Sequence, residues 1–237
     1  MTQRGRALLV LPRAFEVAPL RFLANDEGTA RPNRTQEDLS FPEDIRAYRS
    51  GDALKRIHWK LSARKRELVV RKFETPAPPD SLILLDCTPP AAEDDSQLPA
   101  LRDALCETAL SVAAMQMRAD APVRMPFYGS QAGEFLSDRS AGTDLLEELL
   151  ARQRFSESDD FARILLLEQR RMRRTGATAI ITSHLSAPVV EGIKQIRRMG
   201  PSVRVYLITY TPDAPQDRPY IAQLQQSLVE VCYVTPA

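Results

Sequence analysis

Between residues 81 and 234 the chain alternates short apolar runs with stretches of helical period. No other feature constrains the fold as much. Residues 81–86 (Ser-Leu-Ile-Leu-Leu-Asp) form a continuous apolar run closed by an acid, the pattern of a strand buried on both faces. Residues 178–182 and 203–208 repeat it, with shorter strand patterns at 123–128 and 229–234. Between them, Leu101, Leu105, Ala109, Val112 and Met115 recur at three- and four-residue spacing inside a helix expected over residues 98–118. Further helices are expected over 143–152 with Thr143 as cap, 161–173, 189–199 closed by Gly200-Pro201, and 220–227. Strands alternating with helices predict an α/β fold of three layers, a mostly parallel sheet with helices on both faces.

The first 75 residues are different. Residues 6–24 read as extended segments broken by Pro12 and Pro19, and residues 25–38 as a polar, turn-rich loop. Residues 45–48 suit a short strand, Asp52 suits the cap of a helical turn starting at Ala53, and residues 68–74 are β-rich. The organisation expected is a smaller β-containing N-terminal part (residues 1–75), a Pro-rich joint (76–80) and the α/β domain (81–237).

Charge is segregated along the chain. From Arg46 to Lys72 there are ten Lys or Arg against two acids, Asp52 and Glu67, a net +8 in a chain whose total is +1. The remainder therefore carries −7. A basic window of this kind marks an interaction surface. It also holds the only Trp, Trp59, beside His58 and near Tyr48. Two readings apply. As a nucleic-acid surface, the aromatics stack and the cations meet phosphates. As a structural unit, Trp59 and Ile57 are core, and Arg46, Asp52 and Arg64 form a semi-buried network around a turn. In both, Arg49, Lys55, Lys60, Lys65 and Arg66 face solvent or a partner.

Catalytic patterns are weak. Ser62-Ala63-Arg64-Lys65 spells Ser-x-x-Lys without any companion motif. Cys87 and His184 each follow a core strand, but no orienting group or oxyanion loop accompanies them. There is no Gly-rich phosphate loop and no zinc spacing. The three widely separated Cys fit a reducing compartment. No apolar run is long enough to span a bilayer, and the start lacks a signal peptide. Asp86, at a strand's carboxyl end, reads either as a cap for the next turn or, with Thr88, as the start of a Mg²⁺ site.

The ordered set Arg46-Ala47-Tyr48, Gly51-Asp52, Ile57-His58-Trp59-Lys60, Ser62-Ala63-Arg64, Leu68-Val69-Val70 and Phe73-Glu74 resembles the signature of domain-of-unknown-function family fifty-eight. Leu11-Pro12-Arg13 resembles the segment that family carries upstream. The resemblance implies that Arg46, Tyr48, Gly51, Asp52, Ile57, His58, Trp59, Lys60, Ala63 and Arg64 define the family. It implies a von Willebrand factor A-like domain from about residue 81, and a partner in a MoxR-type AAA+ ATPase. Such domains hold a metal through Asp-x-Ser-x-Ser, a Thr and a further Asp. Here the first motif reads Asp86-Cys87-Thr88-Pro89-Pro90, Thr143 is the candidate second element, and Ser183 follows the later strand. A degenerate site is expected, with no cofactor and at most weak Mg²⁺. The family's N-terminal membrane helices are absent from this sequence. The chain is therefore expected to be cytoplasmic as given, either an excerpt of a membrane-anchored parent or a short member. A non-catalytic scaffold is the expected function, with a metal-dependent adhesion module and a nucleic-acid binder as alternatives.

Overall fold

The computed structural model describes residues 9–22, 42–49, 54, 57–73, 79–90, 94–128, 132–137, 142–156, 160–172 and 174–236. Gly51, Asp52, Lys55, the turn expected at Ala53, the loop expected over 25–38 and most of the Pro-rich joint lie outside the described residues. The chain forms two compact units: residues 25–78, and residues 1–24 together with 79–237.

The larger unit is a six-stranded sheet between two helical layers. Its strands are β3 (Asp80–Leu85), β4 (Val123–Phe127), β5 (Gly133–Leu136), β6 (Thr175–Thr182), β7 (Ser202–Ile208) and β8 (Glu230–Val234), in the spatial order β5-β4-β3-β6-β7-β8. All neighbours run parallel except β5, which pairs antiparallel with β4 at one edge. The sequence pattern gave no hint of β5, because only Phe135 of its four residues is buried. The helices are α2 (Leu98–Arg118), α3 (Asp144–Ala151), α4 (Phe161–Arg171), α5 (Ala187–Arg198) and α6 (Arg218–Gln226).

The pleat divides the core in two, since successive strand side chains point to opposite faces. Ile83 and Leu85 of β3 join Leu105, Leu110, Leu146 and Leu150 under α2 and α3. Leu82 and Leu84 join Leu165, Val189, Ile193 and Leu224 under α4, α5 and α6. Both faces are covered, which is why these strands read as unbroken apolar runs. Gly200, at φ +117, ends α5 as expected.

Residues 9–22 have no regular structure and lie along this unit. Side chains of α2 hold them: the amides of Arg13, Phe15 and Leu20 donate to Glu107 Oε1 (3.2 Å), Ser111 Oγ (2.9 Å) and Gln116 Oε1 (2.9 Å). Buried Arg204 on β7 donates to Ala18 O at 2.8 Å. Gly176 lets this segment approach, because a Cβ there would lie 2.5 Å from Phe22 Cδ1 and 2.8 Å from Pro79 Cβ.

The smaller unit pairs β1 (Pro42–Ala47) antiparallel with β2 (Val69–Phe73), in the register Ala47 to Val69 and Ile45 to Arg71. Between them lies a helix the sequence reading did not identify, α1 (Trp59–Lys65). His58 caps it by accepting from the Leu61 amide at Nδ1 (3.3 Å), and Arg66 ends it in the left-handed region at φ 55.

Candidate functional site

In a sheet of this order, the chain leaves β3 toward β4 on one side and returns to β6 on the other. The carboxyl ends of β3 and β6 therefore frame the switch point, where such folds place ligands. Asp86 follows β3 there, 1% exposed. Its Oδ1 accepts from the Thr88 amide (3.0 Å) and the Thr88 hydroxyl (2.7 Å). Its Oδ2 accepts from the Thr182 hydroxyl at 2.7 Å, at the end of β6. The Thr182 oxygen in turn accepts from the His184 amide (3.2 Å). His184 Nδ1 stands 3.9 Å from Asp86 Oδ2. Nearby Asp217, just ahead of α6, has its carboxyl pushed up by burial and pulled back by His184.

These residues do not fit a metal cage. A hard cation such as Mg²⁺ asks for about six oxygens in near-octahedral geometry. Both Asp86 oxygens already receive protein donors, Pro90 stands where the motif's last Ser would, and Ser183 where a further Asp would. Thr143 sits at the cap position of α3, but its hydroxyl donates to Glu147 Oε1 at 2.7 Å and leaves the helix amides uncapped. Among the described residues no group of three His, Cys, Asp or Glu is placed to hold an ion. Asp86 works here as the cap of its own turn and a tie between two loops.

Cys87 is buried and its Sγ donates to Leu85 O (3.8 Å), while its carbonyl accepts from the Ser156 amide (2.9 Å). In the Ser-x-x-Lys pattern, Ser62 is buried and reads β2. Its hydroxyl accepts from the Val69 amide (2.9 Å) and donates to Val69 O (3.4 Å). Lys65 is exposed.

A polar cluster that the sequence reading missed lies under α4. Glu168, wholly buried, pairs with Arg124 Nη1 (2.7 Å) and Arg171 Nη1 (2.8 Å), and accepts from the Tyr128 hydroxyl. Burial and the Glu168 hydrogen bond push the Tyr128 phenol up to about 12. Glu134 on β5 bridges the same two arginines, at 2.9 and 3.2 Å. Every carboxylate here is matched by a guanidinium, so the cluster fastens α4 to β4 and β5. Its one sequence signal was a single charged residue, Arg124, in an otherwise apolar strand pattern.

The basic window is arranged the opposite way. Ile57 is core, bridging Val70 at 4% exposure. Trp59 is not: it is 62% exposed, which corrects the expectation that its ring packs inside. The reason is geometric. The inner side of α1 is the Ser62 side, where a hydroxyl clamps β2, and Trp59 lies off that side with Lys60, Ala63 and Arg64. Arg64 is exposed too, so it takes no part in the semi-buried network expected of it. Tyr48 is half-buried, its amide donating to Leu68 O (2.8 Å). Arg49, Lys60, Lys65 and Arg66 are all exposed, and for Arg46 the described feature is its backbone, opposite Val70 in the β1–β2 ladder.

The strand order, the antiparallel edge strand and the two helical layers make the larger unit a von Willebrand factor A-like α/β domain. Residues 44–214 match the family model described as "Protein of unknown function DUF58", more than half of the chain, and the chain belongs to that family. No curated protein matches it. No helix among the described residues is long and apolar enough to cross a membrane.

Proposed function

We propose that this chain is a non-catalytic interaction protein that docks a partner through the basic unit around α1. The observation that carries this reading is the contrast in polar groups. At the switch point both Asp86 oxygens accept from Thr88 and Thr182, whereas Lys60, Arg64, Lys65 and Arg66 extend from the small unit into solvent. No cofactor enters this reading, and the site of action is the cytoplasmic side, where the three cysteines remain thiols. From the family resemblance, the partner is a MoxR-type AAA+ ATPase engaged in assembling or maturing other protein complexes.

The test is a pull-down of a MoxR-type ATPase from the same organism, before and after Lys60→Glu, Lys65→Glu and Arg66→Glu are combined. Binding is expected to fall at least tenfold and to weaken with added salt. Unchanged binding removes the basic unit from the account. Calorimetric titration with Mg²⁺ checks the alternative of a metal-dependent adhesion module, and heat of binding near millimolar would revive it.

A further inference from the structure

Large exposed apolar side chains on a small basic unit call for an explanation. Trp59 is 62% exposed, Leu54 in the turn before α1 is 65% exposed, and Leu68 in the turn after it is 45% exposed. An isolated exposed Leu is ordinary, but an indole left in water forgoes one of the largest burial gains any side chain offers. The helix that carries it has no acid, while Lys60 and Arg64, one turn apart, are exposed with Ala63, Lys65 and Arg66. An exposed Trp and an exposed Arg side chain on one short helix have the composition of a binding hot spot.

We infer that Trp59 is the anchor of the docking surface, and that its occupant is a protein with an apolar pocket rimmed by acidic side chains. This rests on the interaction reading above and adds the chemistry of the partner. Charge decides the rim: among the described residues from Trp59 to Leu68 every exposed charged side chain but Glu67 is a cation, so an acidic rim is the complement. The flanking groups decide the pocket. Bases stack on aromatic planes, whereas the small unit also exposes two leucines, Leu54 and Leu68, before and after α1 in the chain, and exposed aliphatic surface suits a protein pocket. A lipid surface is served by a long apolar stripe, and α1 has seven residues with a single exposed ring.

Because Trp59 is the chain's only Trp, fluorescence of the unaltered protein reads this residue alone. In the free chain its emission is expected to be that of a water-exposed indole, freely quenched by acrylamide. Emission that is already shielded overturns the inference. Titration with the MoxR-type ATPase is expected to shift the emission to the blue and protect it from quenching. Trp59→Ala is expected to weaken that binding about 30-fold, with Trp59→Phe recovering part. Binding that leaves both the emission and Trp59→Ala affinity unchanged overturns the anchor while leaving the interaction reading intact.

If the ATPase does not bind at all, that partner assignment falls and the anchor is read with synthetic probes. These are a peptide with a Leu-Phe core flanked by Glu runs, polyglutamate without the core, single-stranded DNA, and phosphatidylglycerol vesicles. A blue shift with the apolar-core peptide alone supports the proposal. A shift with DNA or vesicles but not the peptide, or with none of the probes, overturns it.

Discussion

The two units treat charge in opposite ways. In the α/β unit, Asp86, Glu168 and Arg204 are each less than a tenth exposed, and each is met by partners at hydrogen-bonding distance. In the small unit the cations of α1 face outward, and its buried polar side chain, Ser62, serves the backbone of β2. The difference teaches where to look for function. A buried ion that is fully partnered fixes a structure and has little left to offer a ligand. An exposed cation contributes almost nothing to folding and keeps its whole interaction capacity for a partner. Thus at the place where this fold ordinarily binds ligands, the chain's own Thr88 and Thr182 already occupy the Asp86 carboxylate.

The contrast can be broken by removing charges from each side of it. Glu168→Ala leaves Arg124 and Arg171 with only the more exposed Glu134 between them, and should destabilise the α/β unit by about 3–5 kcal/mol. Arg64→Ala in the small unit should change stability by no more than ~0.5 kcal/mol. Urea unfolding of both variants checks the pair, and equal costs would erase the distinction between the units. Next in size is Gly176→Ala, whose new methyl collides with Phe22 and Pro79, at a cost of about 1–3 kcal/mol. Hydrogen exchange should show the loss of protection beginning in residues 9–22, which Phe22 helps to hold down. Of the same order is Ser62→Ala. It takes away both hydrogen bonds to Val69 and leaves the Val69 amide without its side-chain acceptor, a loss of about 1–3 kcal/mol confined to the α1–β2 contact. Exchange at the Val69 amide should quicken while β3 and β6 stay protected.

Alkaline pH probes the same contrast more gently. The Tyr128 phenol ordinarily ionises near 10.0 and is raised in the folded chain to about 12, first by burial and then by Glu168. The Cys106 thiol is raised from 9.0 to about 12, chiefly by burial. Between those limits the unfolded chain has released protons that the folded chain still holds, so stability is present below pH 9 and falls as pH rises toward 12. Tyr128→Phe should flatten the upper part of that fall in a series of urea midpoints. A decline of the same slope in Tyr128→Phe would assign the loss to other groups.

The α/β unit was legible in the sequence because its physics is periodic. Double burial makes β3, β6 and β7 continuous apolar runs, and one-sided burial gives α2 its spacing; its observed span, Leu98–Arg118, coincides with the expected one. What escaped was decided by few residues or by tertiary contacts. β5 buries one side chain, so no period can form. The Glu168 cluster joins residues from α4, β4 and β5, which lie far apart in the chain. At the candidate site, the turn-capping role of Asp86 followed from a local Asx pattern, whereas its tie to Thr182 crosses 96 residues. α1 was hidden because its seven residues carry no apolar stripe and its cap is a His, a weak signal beside Ser, Thr, Asp or Asn. For the same reason the direction of Trp59 was misjudged. An aromatic beside a buried Ile suggests core by composition, but a helix starting at that residue rotates the ring away from Ile57.

The smallest expected effect sharpens the comparison most. Trp59→Ala deletes the largest side chain in the sequence, and the same change at a buried aromatic costs about 3–5 kcal/mol through lost transfer energy and the cavity left behind. At 62% exposure the ring has little buried area to lose and leaves no cavity, so the urea midpoint should move by no more than ~0.5 kcal/mol. Helix propensity even favours Ala slightly over Trp. A loss of several kcal/mol would mean that the indole is buried in the folded chain. It would then belong with Glu168 among the groups that hold the structure together, leaving the exposed cations as the sole material for a docking surface.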